Sequence, residues 1–148
     1  MGTTLFLVLF TAVLAGAAHL LGAGLPVRVR AQWVYAQLAM MVGIYVGFAI
    51  TGIDFGGIVL RPAWSALMIE SVTAVFFVLA GIAVVQSGKL WILGALILGH
   101  GGVDLLHLLM KADHSPGWYA FACAIYDAIV GVGAILLLST PTQKGAET

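Results

Sequence analysis

Charge is what this chain has least of. Of its 148 residues, 8% are Asp, Glu, Lys or Arg, against about a quarter in an ordinary soluble domain. Six basic residues balance six acidic ones. A net charge of zero gives no basic face for DNA or RNA, so no nucleic-acid partner is expected. Cysteine occurs once, at Cys123, which excludes an intramolecular disulfide framework and a zinc knuckle alike. Pro26, Pro62, Pro116 and Pro141 all lie outside the long apolar stretches, so proline breaks none of them.

What remains is apolar. Hydrophobic residues make up 62% of the chain and mean hydropathy is +1.12. A helix of about 20 apolar residues crosses the roughly 30 Å of a bilayer's hydrocarbon. Five such stretches can be read, at about 4–23, 31–51, 63–86, 90–110 and 117–139. The fold class predicted is therefore all-α, a membrane bundle of five transmembrane helices forming one domain over residues 1–148. The first stretch ends in Ala15-Gly-Ala-Ala18, a signal-peptide-like feature, but has no basic segment before it and reads as a retained helix. The connection Gly52 to Pro62 is too apolar for a plain hydrophilic loop and is expected to lie along the outer interface or dip back into the protein.

Orientation follows from the basic residues of the short loops, which are retained on the cytoplasmic side. Arg28, Arg30, Lys89 and Lys144 fall on one side and Arg61 and Lys111 on the other. The N-terminus is thus expected outside and the C-terminus in the cytoplasm, as in a multi-pass protein of the cell inner (plasma) membrane. Trp33, Tyr35 and Trp91 at one edge, with Trp64, Trp118 and Tyr119 at the other, fit an interfacial aromatic belt. Small residues at Ala39, Gly43 and Gly47, at Gly99, Gly101 and Gly102, and at Gly131 and Gly133 read as surfaces for close helix packing.

Against this background the fourth stretch stands apart. It carries His100, Asp104 and His107, at spacings that bring all three within about 60° on one helical face. A charged side chain at mid-membrane costs roughly 2.5–3.5 kcal/mol even on the mild insertion scale, so that face is expected to look inward. Glu70 in the third stretch and Asp127 in the fifth are ionisable too. At about 1.5 Å of rise per residue, all five sit in the outer half, from about 5 Å deep for His107 to about 15 Å for His100 and Asp127. One shared polar cavity bounded by helices three to five is expected. Five ionisable groups exceed what helix packing needs, since an interhelical hydrogen bond averages only about 0.6 kcal/mol.

Two chemistries suit the set. Asp104 beside His100 and His107 can orient an imidazole, leaving its other nitrogen for proton transfer, and burial disfavours the charged forms of acid and base alike. Metal binding is the other, possible with a divalent ion held by His100, Asp104 and Glu70 and with Asp127 able to complete the shell. His100 and His107 stand about 10.5 Å apart along the helix, too far to share one ion. His19 and His114 read as ordinary residues away from the carboxylates, and Cys123 as packing.

The strings His100-Gly-Gly-Val-Asp-Leu-Leu-His107 and Trp118-Tyr-Ala-Phe-Ala-Cys-Ala-Ile-Tyr-Asp127 resemble an uncharacterised bacterial integral-membrane family of small proteins, in which tryptophan often precedes the first Asp; here that position is Val103. The resemblance covers the last third of the chain and implies no particular activity. The His-x-x-x-Asp element is similar to one in the membrane hydrolase superfamily of alkaline ceramidases and progestin-type receptors. That superfamily has seven spans and further histidines in its last helix, so neither its zinc nor its amidase activity is carried over.

The functional expectation is a membrane-embedded enzyme acting on a lipophilic small molecule or lipid by His/Asp/Glu general acid–base chemistry, with or without the assistance of a metal, and with His100, Asp104, His107, Glu70 and Asp127 as its catalytic set. The alternative is a proton-coupled transporter or channel built on the same cluster. A third reading, a lipid-bound structural subunit, predicts that replacing Asp104 leaves activity intact. Membrane lipids are the expected surroundings, and a homodimer completing the cavity is the expected assembly of so small a bundle.

Overall fold

The computed structural model describes residues 2–54, 57–60 and 63–139, with backbone alone at 52–54 and 57–60. Arg61 and Lys144 of the charge tally lie outside the described residues. Five helices follow in order: α1 (Gly2–Ala23), α2 (Val27–Ile50), α3 (Trp64–Ser87), α4 (Ile92–Met110) and α5 (Gly117–Ser139). Each is long and apolar enough to cross a membrane, and their limits fall within a few residues of the five stretches read from the sequence. The chain is thus a helical bundle of the multi-pass membrane type.

The connection from α2 to α3 has regular structure. It is an antiparallel ribbon of β1 (Thr51–Asp54) and β2 (Gly57–Leu60), with Thr51 opposite Leu60 and Asp54 opposite Gly57. Pairing satisfies the backbone of an apolar segment that could not leave its polar groups bare in a low-dielectric setting. At its base the Ala63 N–H donates to the Ala49 carbonyl at 3.0 Å, drawing α2 and α3 together as antiparallel neighbours. The other turns are tight. Gly88, at φ 71°, closes α3 in the left-handed conformation glycine adopts without strain. Lys111 ends α4 in the same conformation, at φ 52°, and its N–H faces the His107 and Leu108 carbonyls. This turn folds the short segment 112–116 back over the end of α4.

α4 packs most extensively on α5, α5 also on α1, and α2 on α3, with α2 touching α4 and α5 as well. α2 is the least apolar helix and carries the most buried residues, among them Gln37, Leu38, Met41 and Tyr45. α1 and α3 instead turn large apolar side chains outward, such as Leu9, Phe10 and Val13, or Met68, Val72 and Phe76. Lipid tolerates such a surface, whereas polar side chains must find partners inside.

Glycine lets α4 and α5 approach closely. A Cβ added to Gly94 would meet the Gly131 carbonyl at 2.5 Å and the Ile135 nitrogen at 2.6 Å, so α4 and α5 touch backbone to backbone. One at Gly101 would come within 2.9 Å of Asp127 Cβ. Of the glycines expected to serve packing on helices four and five, Gly101, Gly131 and Gly133 do, whereas Gly99 makes only ordinary contact and Gly102 meets nothing within 4 Å. The stripe on α2 does not: Gly43 and Gly47 also meet nothing within 4 Å, and Gly43 is exposed. Their face looks away from the other helices because Tyr45, Ala49 and Val42 occupy the inward one.

Arg30 ties the end opposite the ribbon. Its guanidinium donates to the carbonyls of Gly22, Ala23 and Leu25 at 2.9–3.1 Å and to that of Leu137 at 3.1 Å. One side chain thus satisfies the open carbonyls at the end of α1 and links them to α5.

Candidate functional site

The ionisable residues meet in two groups, not one. Nearer the middle of the bundle, His100 and Asp104 of α4 face Asp127 of α5. His100 Nδ1 donates to Asp127 Oδ2 at 2.7 Å and stands 3.7 Å from Asp104 Oδ2. All three residues are sealed, at 1% exposure for His100 and 0% for the two aspartates. Gly101 makes this possible, since its missing Cβ leaves room for Asp127 against α4. Both oxygens of Asp104 and Asp127 Oδ1 are buried with no hydrogen-bond partner among the described residues. Two carboxylates thus crowd one imidazole out of reach of solvent.

Two turns along α4, toward the ribbon, lies the second group. His107 Nε2 donates to Glu70 Oε1 at 2.8 Å, and His114 Nε2 donates to the same oxygen at 3.0 Å. A carboxylate only accepts, so both rings carry their proton on Nε2 in this arrangement. Glu70 is buried, at 4% exposure, while both histidine side chains keep 11%. The left-handed turn at Lys111 is what carries His114 back to Glu70.

Tyr45 of α2 fills the space between the groups. Its ring stacks on His107 with centroids 4.6 Å apart and planes 13° from parallel, and meets His100 edge-on at 5.9 Å. Phe77 covers the other side of His100 at 5.5 Å. The Tyr45 hydroxyl, directed toward Asp104, has no hydrogen-bond partner among the described residues.

The two groups differ in access. Glu70, His107 and His114 line a groove of about 500 Å³ between α3, α4 and the following turn. Its walls are largely apolar, with Ile69, Val103, Leu106 and Met110, and Lys111 and Asp113 stand at its rim. A second hollow of about 230 Å³ lies on the far side of His107, beside Ser115 and Ala120. The His107 Nδ1 and Ser115 Oγ are both buried without a partner among the described residues. The His100 group lines neither space.

All five expected residues are thus inside the bundle, but their grouping is corrected. The trio His100, Asp104 and Glu70 does not converge: Glu70 belongs with His107 and His114, and Asp127 with His100 and Asp104. The single cavity expected is divided by Tyr45. His114, read as ordinary, is a direct partner of Glu70. The sequence signals for these two were a tyrosine in mid-helix, away from the aromatic belt, and a histidine seven residues after His107 across a short turn. His19 does stay apart, lining a void of about 10 Å³ with Trp33 and Gln37. Cys123 is half-buried beside an apolar hollow of about 350 Å³ formed with α1. Comparison with protein-family models, curated proteins and solved structures finds no match to this chain.

Proposed function

We propose that this protein is a membrane-embedded enzyme that acts on a lipophilic small molecule or lipid through His and Glu acid–base chemistry. The observation that carries the reading is the convergence of Glu70, His107 and His114 on the floor of the apolar groove between α3 and α4. A volume of about 500 Å³ falls within the roughly 300–1,000 Å³ of small-molecule sites, and apolar walls around a few convergent polar groups are their usual make-up. Glu70 would hold the imidazoles in one tautomer, and a ring that turns from Glu70 to substrate carries a proton with it. The sealed pair Asp104 and Asp127, with His100, would anchor α4 behind the site and keep a proton in reserve. With the orientation of the charge tally, the groove opens toward the outer leaflet of the inner (plasma) membrane.

The test is turnover by the purified protein. Incubated in detergent with a total membrane lipid extract and followed by mass spectrometry, the native chain should convert at least one lipophilic component. Glu70→Gln and His107→Ala should lower that rate by about 10²–10⁴-fold, the usual worth of a positioned acid or base. Conversion that both variants leave unchanged would remove the reading.

One observation favours proton transport as a second reading. Gln37 of α2, 5% exposed and two turns further from the ribbon than Tyr45, accepts from the Tyr126 hydroxyl at 2.8 Å. A polar pair thus lies on the side of Tyr45 away from the groove, where a proton route would need one. Proteoliposomes loaded with a pH-sensitive dye decide it: a flux abolished by Asp104→Asn selects transport, and tight vesicles exclude it.

A further inference from the structure

We propose that Glu70, His107 and His114 bind one divalent transition metal ion of the zinc class, with a coordination position left open to the groove. The inference deepens the enzyme reading, since it places a Lewis acid where that reading puts the substrate.

The donor set points to the metal. Two imidazole nitrogens with one carboxylate oxygen suit zinc and its neighbours, whereas magnesium and calcium prefer oxygen alone. Three protein ligands of this kind are what catalytic zinc sites use, the fourth position being kept for water or substrate. The geometry is close to what such an ion needs. The three ligand atoms lie within 4.8 Å of one another, with both Nε2 atoms 2.8–3.0 Å from one oxygen. Zinc bonds of about 2.0–2.1 Å put tetrahedral donors about 3.3 Å apart, so small side-chain rotations admit the ion. The His107 and His114 rings meet at 75°, with centroids 5.3 Å apart, two planes approaching a common point from different sides.

Attachment and access agree with this. The ligands come from three separate elements, α3, α4 and the turn after α4, so an ion would cross-link them. All three line the groove, which gives an ion a way in and leaves one face of it toward an apolar space. An ion there would polarise an oxygen of a lipophilic substrate lying in the groove. Charge agrees too. With neutral imidazoles, Glu70 would be a buried anion whose direct partners carry no charge, and a divalent cation compensates it. The group of His100, Asp104 and Asp127 is the weaker candidate, because it offers one nitrogen and lines no groove.

The experiment is metal analysis of the full-length protein, purified in detergent after growth with zinc and measured by mass spectrometry, together with the visible spectrum after loading with Co²⁺. Native protein should carry one zinc per chain and show cobalt ligand-field bands. Glu70→Gln and His114→Ala should each weaken binding by more than the roughly 10–100-fold that loss of an outer-shell partner costs, and Asp104→Asn should keep the ion. His114 lies in a turn outside the helices, so His114→Ala is the variant that best separates ligand loss from misfolding, with the thermal unfolding curve as control. Absence of zinc and cobalt binding in the native protein overturns the proposal, as does an ion kept by His114→Ala and lost in Asp104→Asn. Turnover without metal that Glu70→Gln abolishes would sink the metal and leave the acid–base enzyme standing. A bound ion without turnover of any lipid would do the reverse.

Discussion

The rings of Tyr45 and His107 lie stacked, 4.6 Å between centroids and 13° from parallel. This contact joins α2 to the polar face of α4 and holds the imidazole flat, so that its Nε2 points along the ring plane to Glu70. Tyr45 is 1% exposed and its hydroxyl makes no hydrogen bond among the described residues, which makes the ring the useful part. Tyr45→Phe should therefore shift stability by less than about 1 kcal/mol, while Tyr45→Ala should cost about 3–5 kcal/mol, as large-to-small changes of buried aromatics do. Thermal unfolding in detergent compares the two. Equal losses would show that the hydroxyl carries the contact.

Glycine at position 94 is tested by contrast with position 43. Gly94→Ala drives a methyl group into the Gly131 backbone and should cost about 1–3 kcal/mol, with α4 pushed off α5. Gly43→Ala meets nothing within 4 Å and should be neutral or slightly stabilising. Unfolding midpoints of the two variants, measured in the same detergent, check the order.

Arg30 serves four carbonyls at once, and lysine cannot reproduce its planar fork. Arg30→Ala should lower stability by roughly 2 kcal/mol, near the worth of one hydrogen bond to a charged group, because part of the site is open to solvent. Arg30→Lys should fall between. The first amides to lose protection in hydrogen exchange should be those of the last turn of α1.

Asp104 faces Asp127 across His100 with two unpartnered oxygens. Asp104→Asn removes one of two crowded carboxylates and adds a donor, so it should raise thermal stability, by about 1 kcal/mol, while reducing turnover. A variant both less stable and fully active would contradict the role given to this pair.

The arrangement of His100, Asp104 and His107 was legible before any coordinates, since residues four and seven apart share a helical face and ionisable groups in hydrocarbon must face inward. So was the involvement of Glu70 and Asp127, from charge at depth alone. Their partners were not. One shared cavity is the expectation from depth, yet Glu70 pairs with His107 and not with Asp104, because the bulk of Tyr45 takes the space between. His114 reads as ordinary in the sequence because its role depends on a left-handed turn at Lys111, a non-glycine residue with no mark of that conformation in its sequence. The connection between α2 and α3 reads as a segment along the interface or dipping back into the protein, not as a ribbon, since eleven residues without regular alternation announce no strand pair.

The five spans and the polar face of α4 belong to the sequence itself, because hydrocarbon as a solvent demands about 20 apolar residues per crossing and a helix repeats with its own period. Which carboxylate meets which imidazole belongs to the tertiary structure. That choice rests on how far α3 and α5 slide and rotate against α4, which the contacts of Gly94, Gly101 and Tyr45 set between residues far apart along the chain. No local pattern encodes such a displacement.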